Sequence, residues 1–309
     1  MENRIHLFCH RGLYGCTDVN QDFLRMSYAK GAALKDLPPE NTYTSIKAAF
    51  DAGYGVELDV CMTKDNTLIV THTNHLSVHT YDASETDYVS TCLFSDIEKM
   101  KTGIGGKTES FLTYEQFLDL FKNYLHLSAN VEIKGTVEPK NALLPQTNPT
   151  IPEQLTKITP ENIKKRIIWS SFSTGMIADL KKLNPQARIA QLFCPTQEEE
   201  PFIFKGLPDR YLQFNLKNIK QISKTISLEA VHVEISTLSD DETLKFCQEN
   251  SIHIRTWALL ERNPQKDKIA QQNLLNVFEL SKKYPCIHFD IITDYAPLVN
   301  QLLRDNFHR

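Results

Sequence analysis

Short apolar, β-rich runs recur along this chain with segments of helical period between them, and that alternation limits the folds open to it. The runs are RIHLFCH (4–10), GVELDVCMT (55–63), TLIVTHT (67–73), LSANVEIKG (127–135), IIWSSFS (167–173), RIAQLF (188–193), LEAVHVEIS (228–236), IHIRTWALL (252–260) and CIHFDIITD (286–294). Between the first two, NTYTSIKAAFDAG places Ile46, Ala49 and Phe50 on one helical face and stops at Gly53, as a helix C-terminus does. TYEQFLDLFKNYL repeats the pattern with Phe117, Leu120, Phe121 and Tyr124. TGMIADLKKL, SDDETLKFCQEN, QQNLLNVFELSKKY and APLVNQLLRDNF predict further helices, the second opened by a capping box of Ser239 and Glu242. Strand and helix alternating over the whole length predict parallel βα units. About eight such units in 309 residues fit an α/β fold of one (β/α)₈ TIM barrel better than a doubly wound sheet. Only three residues separate Thr63 from Thr67, so the ninth run is predicted to be a small hairpin arm.

No fixed repeat, low-complexity tract or linker divides the sequence, and one domain over 1–309 is expected, with 13–38 an enlarged loop after the first strand. Stretches 136–150 and 194–209 also read as long surface loops. A formal net charge of -4 without a Lys/Arg block argues against nucleic acid as the main partner. The seven cysteines are scattered, with no C-x-x-C pair or zinc spacing, and read as free thiols of a reducing compartment. No apolar stretch has signal-peptide or transmembrane length. The expectation is a cytoplasmic protein, with signal-less export left open and oligomeric state unspecified.

In a parallel barrel, functional groups gather where strands end, and polar residues fall there repeatedly. His10 and Arg11 end the first run, Glu57 and Asp59 interrupt the second, His72 ends the hairpin run, and Glu132 and Lys134 end the next. Strand alternation puts Glu57 and Asp59 on one side, and likewise Glu132 and Lys134. Three carboxylates converging on a barrel mouth repel one another unless a cation lies among them, and all-oxygen ligation favours Mg²⁺ or Ca²⁺. Structural ion pairs with Lys134 and Arg11 are the competing reading. His10 and His72 flank that cluster, and two imidazoles can divide acid and base duties. His75 and His79 are expected to be solvated loop residues, and His6, His232 and His253 packing residues.

In order and spacing, CHRG, PPENTYTSIKAAFDAG, VELDVCMTKDNTLIVTH, NVEIKG and DIITDYAP resemble the glycerophosphodiester phosphodiesterase family, from about His6 to Pro297. The resemblance implies a (β/α)₈ barrel and metal-dependent hydrolysis of a glycerol phosphodiester to glycerol 3-phosphate and an alcohol, through a cyclic phosphate. It implies Glu57, Asp59 and Glu132 as ligands of the divalent metal, and His10 and His72 as the general acid and base without saying which is which; His10 as base and His72 as acid is the expectation. Arg11 would grip a phosphoryl oxygen, Glu40 would sit near the site, and Lys134 would add positive charge. Trp257 resembles a family tryptophan that walls the substrate, and Ser171 and Ser173 match a strand-end motif in which a serine could bond substrate. No G-x-S-x-G supports a serine hydrolase.

Two departures stand out. His72-Thr73-Asn74 replaces a common His-Asp pair, and 13–38 is longer than the usual link, with apolar residues enough to fold over the mouth as a lid. Glu234 is a further acidic residue near the mouth. Two other functions stay open: phospholipase D or lysophospholipase D-like cleavage of an acylated diester, and a non-catalytic barrel that binds a phosphorylated ligand or partner.

Overall fold

The computed structural model describes residues 5–13, 38–72, 74–103, 107–134, 149–195, 202–204, 207–209, 211–257 and 268–307. Eight strands form the barrel: β1 (His6–His10), β2 (Gly55–Met62), β3 (Ala129–Ile133), β4 (Ile167–Ser171), β5 (Arg188–Leu192), β6 (Ala230–Glu234), β7 (His253–Trp257) and β8 (Phe289–Thr293). Each pairs in parallel with the next, and β8 returns to β1, which also pairs with β2, so the sheet is closed. The principal helices are α1 (Tyr43–Asp51), α2 (Tyr114–Phe121), α3 (Ile151–Ile158), α4 (Thr174–Leu183), α5 (Leu216–Ser223), α6 (Asp241–Glu249), α7 (Lys268–Lys283) and α8 (Ala296–Phe307). The single-barrel expectation holds.

Alternation divides each strand between two environments. Val56, Leu58 and Val60 of β2, Val131 and Ile133 of β3 and Val231 and Val233 of β6 belong to the main apolar core with Ile46, Phe50, Phe117 and Phe121 from the helices. Phe121 stacks at 5.4 Å on both Phe50 and Phe117. Burying each such side chain contributes about 1.5–3 kcal/mol. The intervening positions face the barrel interior and are free to carry polar groups.

Local signals start and stop the helices. Thr42, Thr113 and Thr150 each form a capping box with the residue three places on. The box predicted from Ser239 is not formed: Asp240 caps α6, its carboxylate accepting from the Glu242 and Thr243 amides, so the helix starts one residue later. Gly53 closes α1 at φ +82°.

The hairpin arm is present. Leu68–Val70 runs antiparallel to β2 and to Leu112–Thr113, over a small apolar cluster of Cys61, Ile69, Leu76, Val89, Ile97 and Phe111. Asn74 pins this segment: its Nδ2 donates to Ser90 Oγ at 3.0 Å, and its Oδ1 accepts from the Ser90 amide at 2.9 Å. Most of the expected lid, 14–37, lies outside the described residues, as do 135–148 and Thr73. In the third long loop, Phe202–Phe204 pairs antiparallel with Leu207–Asp209.

Candidate active site

Strand register assembles the site. His10 at the end of β1 is level with Glu57 on β2, and Asp59, two residues on, is level with Glu132 on β3. The arm supplies the remaining imidazole: the Thr71 amide donates to Asp59 O at 3.0 Å, which brings His72 to the same end. His10, Arg11, Glu57, His72, Asn130, Glu132, Lys134, Phe172, Leu192, His232, Trp257 and Ile292 line one cavity of about 200 Å³. Charged groups occupy one half of it, and aromatic and aliphatic side chains the other.

The turn after β1 is tight. Arg11 adopts φ +53° and Gly12 φ +91°, and a Cβ on Gly12 would lie 2.6 Å from the Ser45 carbonyl carbon. Only glycine fits so close to the start of α1. The Arg11 guanidinium is then held from two sides: Nη1 donates to both Glu40 carboxylate oxygens at 3.0 and 2.9 Å, and Nε lies 3.5 Å from Asp59 Oδ2. Asn41 donates to Asp59 Oδ2 at 2.9 Å.

Glu57, Asp59 and Glu132 are all buried, and one carboxylate oxygen from each lies within 4.8 Å of the others. Lys134 Nζ stands 3.0 Å from Asp59 Oδ1 and 2.5 Å from Glu132 Oε1. That does not balance the trio. Burial, then the like charges of Asp59 and Glu132, push the Glu57 carboxyl well above the usual carboxylate range. Burial and Asp59 push Glu132 up as well, against Lys134. Asp59 goes the other way: burial opposes its ionisation, but Lys134, His72, Arg11 and the Asn41 bond outweigh it. A buried oxygen-only trio in which Glu57 and Glu132 are both pushed up by neighbouring carboxylates is a donor set suited to a hard divalent cation.

The histidines are unlike. His10 Nδ1 lies 2.8 Å from Asp294 Oδ1, while its Nε2 faces Glu57 Oε2 at 4.0 Å. A carboxylate only accepts, so the proton of this bond sits on His10 Nδ1. For His72, burial and then the Arg11 and Lys134 cations hold the ring well below the ordinary histidine range.

The other predicted residues fall as follows. Glu40 is buried behind Arg11 rather than in the cavity, with His79 Nδ1 3.7 Å away. His79 is buried, against the expectation of a solvated residue, because the arm folds back over it. Trp257 lines the cavity. Ser171 does not: its hydroxyl donates to Ile133 O at 2.8 Å, and Ser173 caps α4. Glu234 accepts from the Ser236 amide at 3.0 Å. His232 is a buried wall residue, as expected of packing, whereas the His6 side chain is 62% exposed beside Asp290. Sequence reasoning missed Asp294 and Phe172, although both stand at strand ends, where the same rule would have found them. A larger cavity of about 760 Å³ opens at the other end of the barrel. Its main charges are already paired, Arg188 with Glu229 and Arg255 with Asp290.

The model of the glycerophosphoryl diester phosphodiesterase family matches residues 31–278, more than half of the chain. The chain belongs to that family. A glycerophosphodiester phosphodiesterase from Caldanaerobacter subterraneus subsp. tengcongensis is 32% identical over 163 residues, which cover 50% of this chain and 61% of that relative. One from Bacillus altitudinis is 27% identical over 207 residues, covering 63% and 77%. Among solved structures, an Oleispira antarctica phosphodiesterase in complex with the product sn-glycerol 3-phosphate shares the fold at TM-score 0.62 and 16% identity, covering 97% of this chain and 96% of that one. Family membership agrees with the resemblance read from CHRG, PPENT and VELDV.

Proposed function

We propose that the chain hydrolyses glycerophosphodiesters to sn-glycerol 3-phosphate and an alcohol, with a divalent cation held by Glu57, Asp59 and Glu132. The observation that carries this reading is the carboxylate trio, two of whose members, Glu57 and Glu132, line one cavity with His10, His72, Arg11 and Lys134. Among relatives, the names of the two curated proteins and the product bound to the Oleispira antarctica enzyme support it.

Arg11 and Lys134 face the phosphate and reduce the repulsion that shields phosphorus from a nucleophile. His10 is the base. Its Nε2 takes the proton of the substrate's 2-hydroxyl as that oxygen attacks phosphorus, and Asp294 stabilises the imidazolium that results. His72 is the acid: burial and then the Arg11 and Lys134 cations hold the ring below the ordinary histidine range, and an anionic phosphate offsets those two cations when the substrate binds. The bond from phosphorus to the departing alcohol breaks, and the leaving oxygen takes the His72 proton. Water then opens the five-membered cyclic phosphate with the two histidines in exchanged roles. When bound, Mg²⁺ or Ca²⁺ supplies Lewis acidity and charge neutralisation at the phosphoryl oxygens. Trp257 walls the apolar side; Glu40 positions Arg11, and Ser171 serves the strand framework.

The leaving group is a short alcohol, with the acylated diester of a lysophospholipase D as the alternative. Thr73, which follows His72 where the family commonly has an aspartate, lies outside the described residues, and the presence of the trio with both imidazoles favours turnover over a binding-only barrel. A panel of phosphodiesters followed by ³¹P NMR tests the reading: sn-glycerol 3-phosphate accumulates, preceded by a cyclic phosphate. Release of phosphatidic-type products only, or of none, contradicts it.

A further inference from the structure

Packing explains why His232 is buried, but not the state of its nitrogens. The residue is wholly buried and lines the cavity of about 200 Å³, yet neither Nδ1 nor Nε2 has a hydrogen-bond partner among the described residues. Its place is the floor. On β7 it is level with Arg255, which lines the cavity at the other end of the barrel and is paired with Asp290; on β5 it is level with Leu192, another residue of its own cavity. Asn130, which lines the same cavity, is committed to the barrel: its Nδ2 donates to Ser170 Oγ at 3.1 Å, and its Oδ1 accepts from Arg255 Nη1 at 3.5 Å. His232 is not so committed, and a buried polar group without a partner calls for one.

The chemistry of the ring narrows what that partner is. Burial and then the Arg255 cation hold it well below the ordinary histidine range, so the imidazole is neutral. With no neighbour to fix the tautomer, the nitrogen nearest the cavity can donate or accept. A hydroxyl meets it in either state, whereas a phosphoryl oxygen only accepts and an ammonium only donates. In the proposed reaction the phosphate lies against Arg11 and Lys134 and the 2-hydroxyl against His10, which leaves one hydroxyl of the glycerol unit unassigned. We propose that His232 is a specificity-determining residue whose imidazole binds that remaining primary hydroxyl, the one that takes no part in the attack on phosphorus. The inference rests on the phosphodiesterase reading and names a residue through which the site selects glycerol.

The test compares two diesters with the same leaving alcohol, that of the best substrate in the phosphodiester panel. One is the sn-glycerol 3-phosphate ester; the other is the propane-1,2-diol 1-phosphate ester of matching configuration, which keeps the attacking hydroxyl and has a methyl group in place of the primary alcohol. The wild-type kcat/KM is expected to favour the glycerol ester by at least about tenfold. His232→Leu lowers kcat/KM for the glycerol ester far more than for the propanediol ester and brings the ratio toward one. His232→Gln, which keeps a donor and an acceptor, retains most of the preference. A merely structural histidine would slow both esters alike. Should His232→Leu fail to fold, His232→Phe keeps a planar ring without the nitrogens and is read in the same way. A wild-type ratio near one overturns the proposal without recourse to any variant, and water is then what meets the imidazole; a wild-type preference that survives loss of the nitrogens overturns it too. In both cases glycerophosphodiester cleavage stands and the His232 assignment fails alone. If no diester of the panel is cleaved, the phosphodiesterase reading fails and takes the inference with it.

Discussion

His10 can act as a base only with Nε2 bare, and the Asp294 carboxylate at 2.8 Å from Nδ1 enforces that tautomer. Asp294→Asn can present its amide nitrogen to Nδ1 and move the ring proton to Nε2. The expected result is a kcat lower by about 10²–10⁴, with KM and circular dichroism little changed; wild-type kcat would remove Asp294 from the account. His72→Ala is expected to abolish turnover of diesters with poor leaving groups and to spare those with an activated nitrophenol, which departs without a proton. An equal loss on both would argue against its role as acid. The residues to which this chemistry is assigned in the proposal differed in how legible they were. His10, Glu57, Asp59, His72 and Glu132 show themselves because an unneutralised polar side chain at the end of an apolar run has few structural uses. The strand-end rule points to Asp294 as a position, but its pairing with His10 depends on β8 closing onto β1, a contact across 284 residues. Ser171 fails on parity: Ser170, level with Glu132, bonds Asn130 inside the barrel, while Ser171 turns to the backbone of β3.

At the scale of elements, the turn from β1 into α1 bears most directly on site geometry, and the pairing of β7 with β8 on stability. A methyl group on Gly12 meets the Ser45 backbone at 2.6 Å. Gly12→Ala is therefore expected to cost about 1–3 kcal/mol, seen in urea titration, and to reduce turnover by displacing His10 and Arg11 together. Inside the barrel, Arg255 Nη2 lies 2.7 Å from Asp290 Oδ2 and joins β7 to β8. Burial alone would raise the Asp290 carboxyl, but Arg255 and His6 overcome it and bring it down to about 2. A depressed carboxylate contributes its stability above the unfolded value, and that contribution is lost as the pH falls through the folded one. Acid unfolding is therefore expected to consume roughly 2 kcal/mol between about pH 4 and pH 2. Asp290→Asn should flatten that part of the stability curve; a curve of unchanged slope would show that the pair is not coupled to folding. The elements themselves were legible because each strand is apolar on its helix-facing side. The start of α6 was not, since Ser239 and Asp240 are both good caps and only the observed helix start selects the carboxylate.

Over the whole molecule, closure of the sheet concentrates three buried carboxylates, two cations and two imidazoles at one end of the barrel and leaves ion pairs at the other. Alternation and count were sufficient to predict the closed barrel, because eight parallel strands with helices between them leave no edge to cover. The balance of charge at the mouth was only half visible. Sequence places Lys134 near the trio, but burial and then the like charges of Asp59 and Glu132 push the Glu57 carboxyl well above the usual range in spite of that lysine. The central claim is thus that the trio holds a divalent ion needed for glycerophosphodiester hydrolysis. The most direct measurement is sn-glycerol 3-phosphate release from a glycerophosphodiester by chelator-treated protein as Mg²⁺ or Ca²⁺ is added back, alongside Glu57→Gln. The account predicts no release without the ion, saturable recovery on addition, and a much higher ion requirement in the variant. Full activity in chelator, or a Glu57→Gln titration that overlays the wild type, would contradict it.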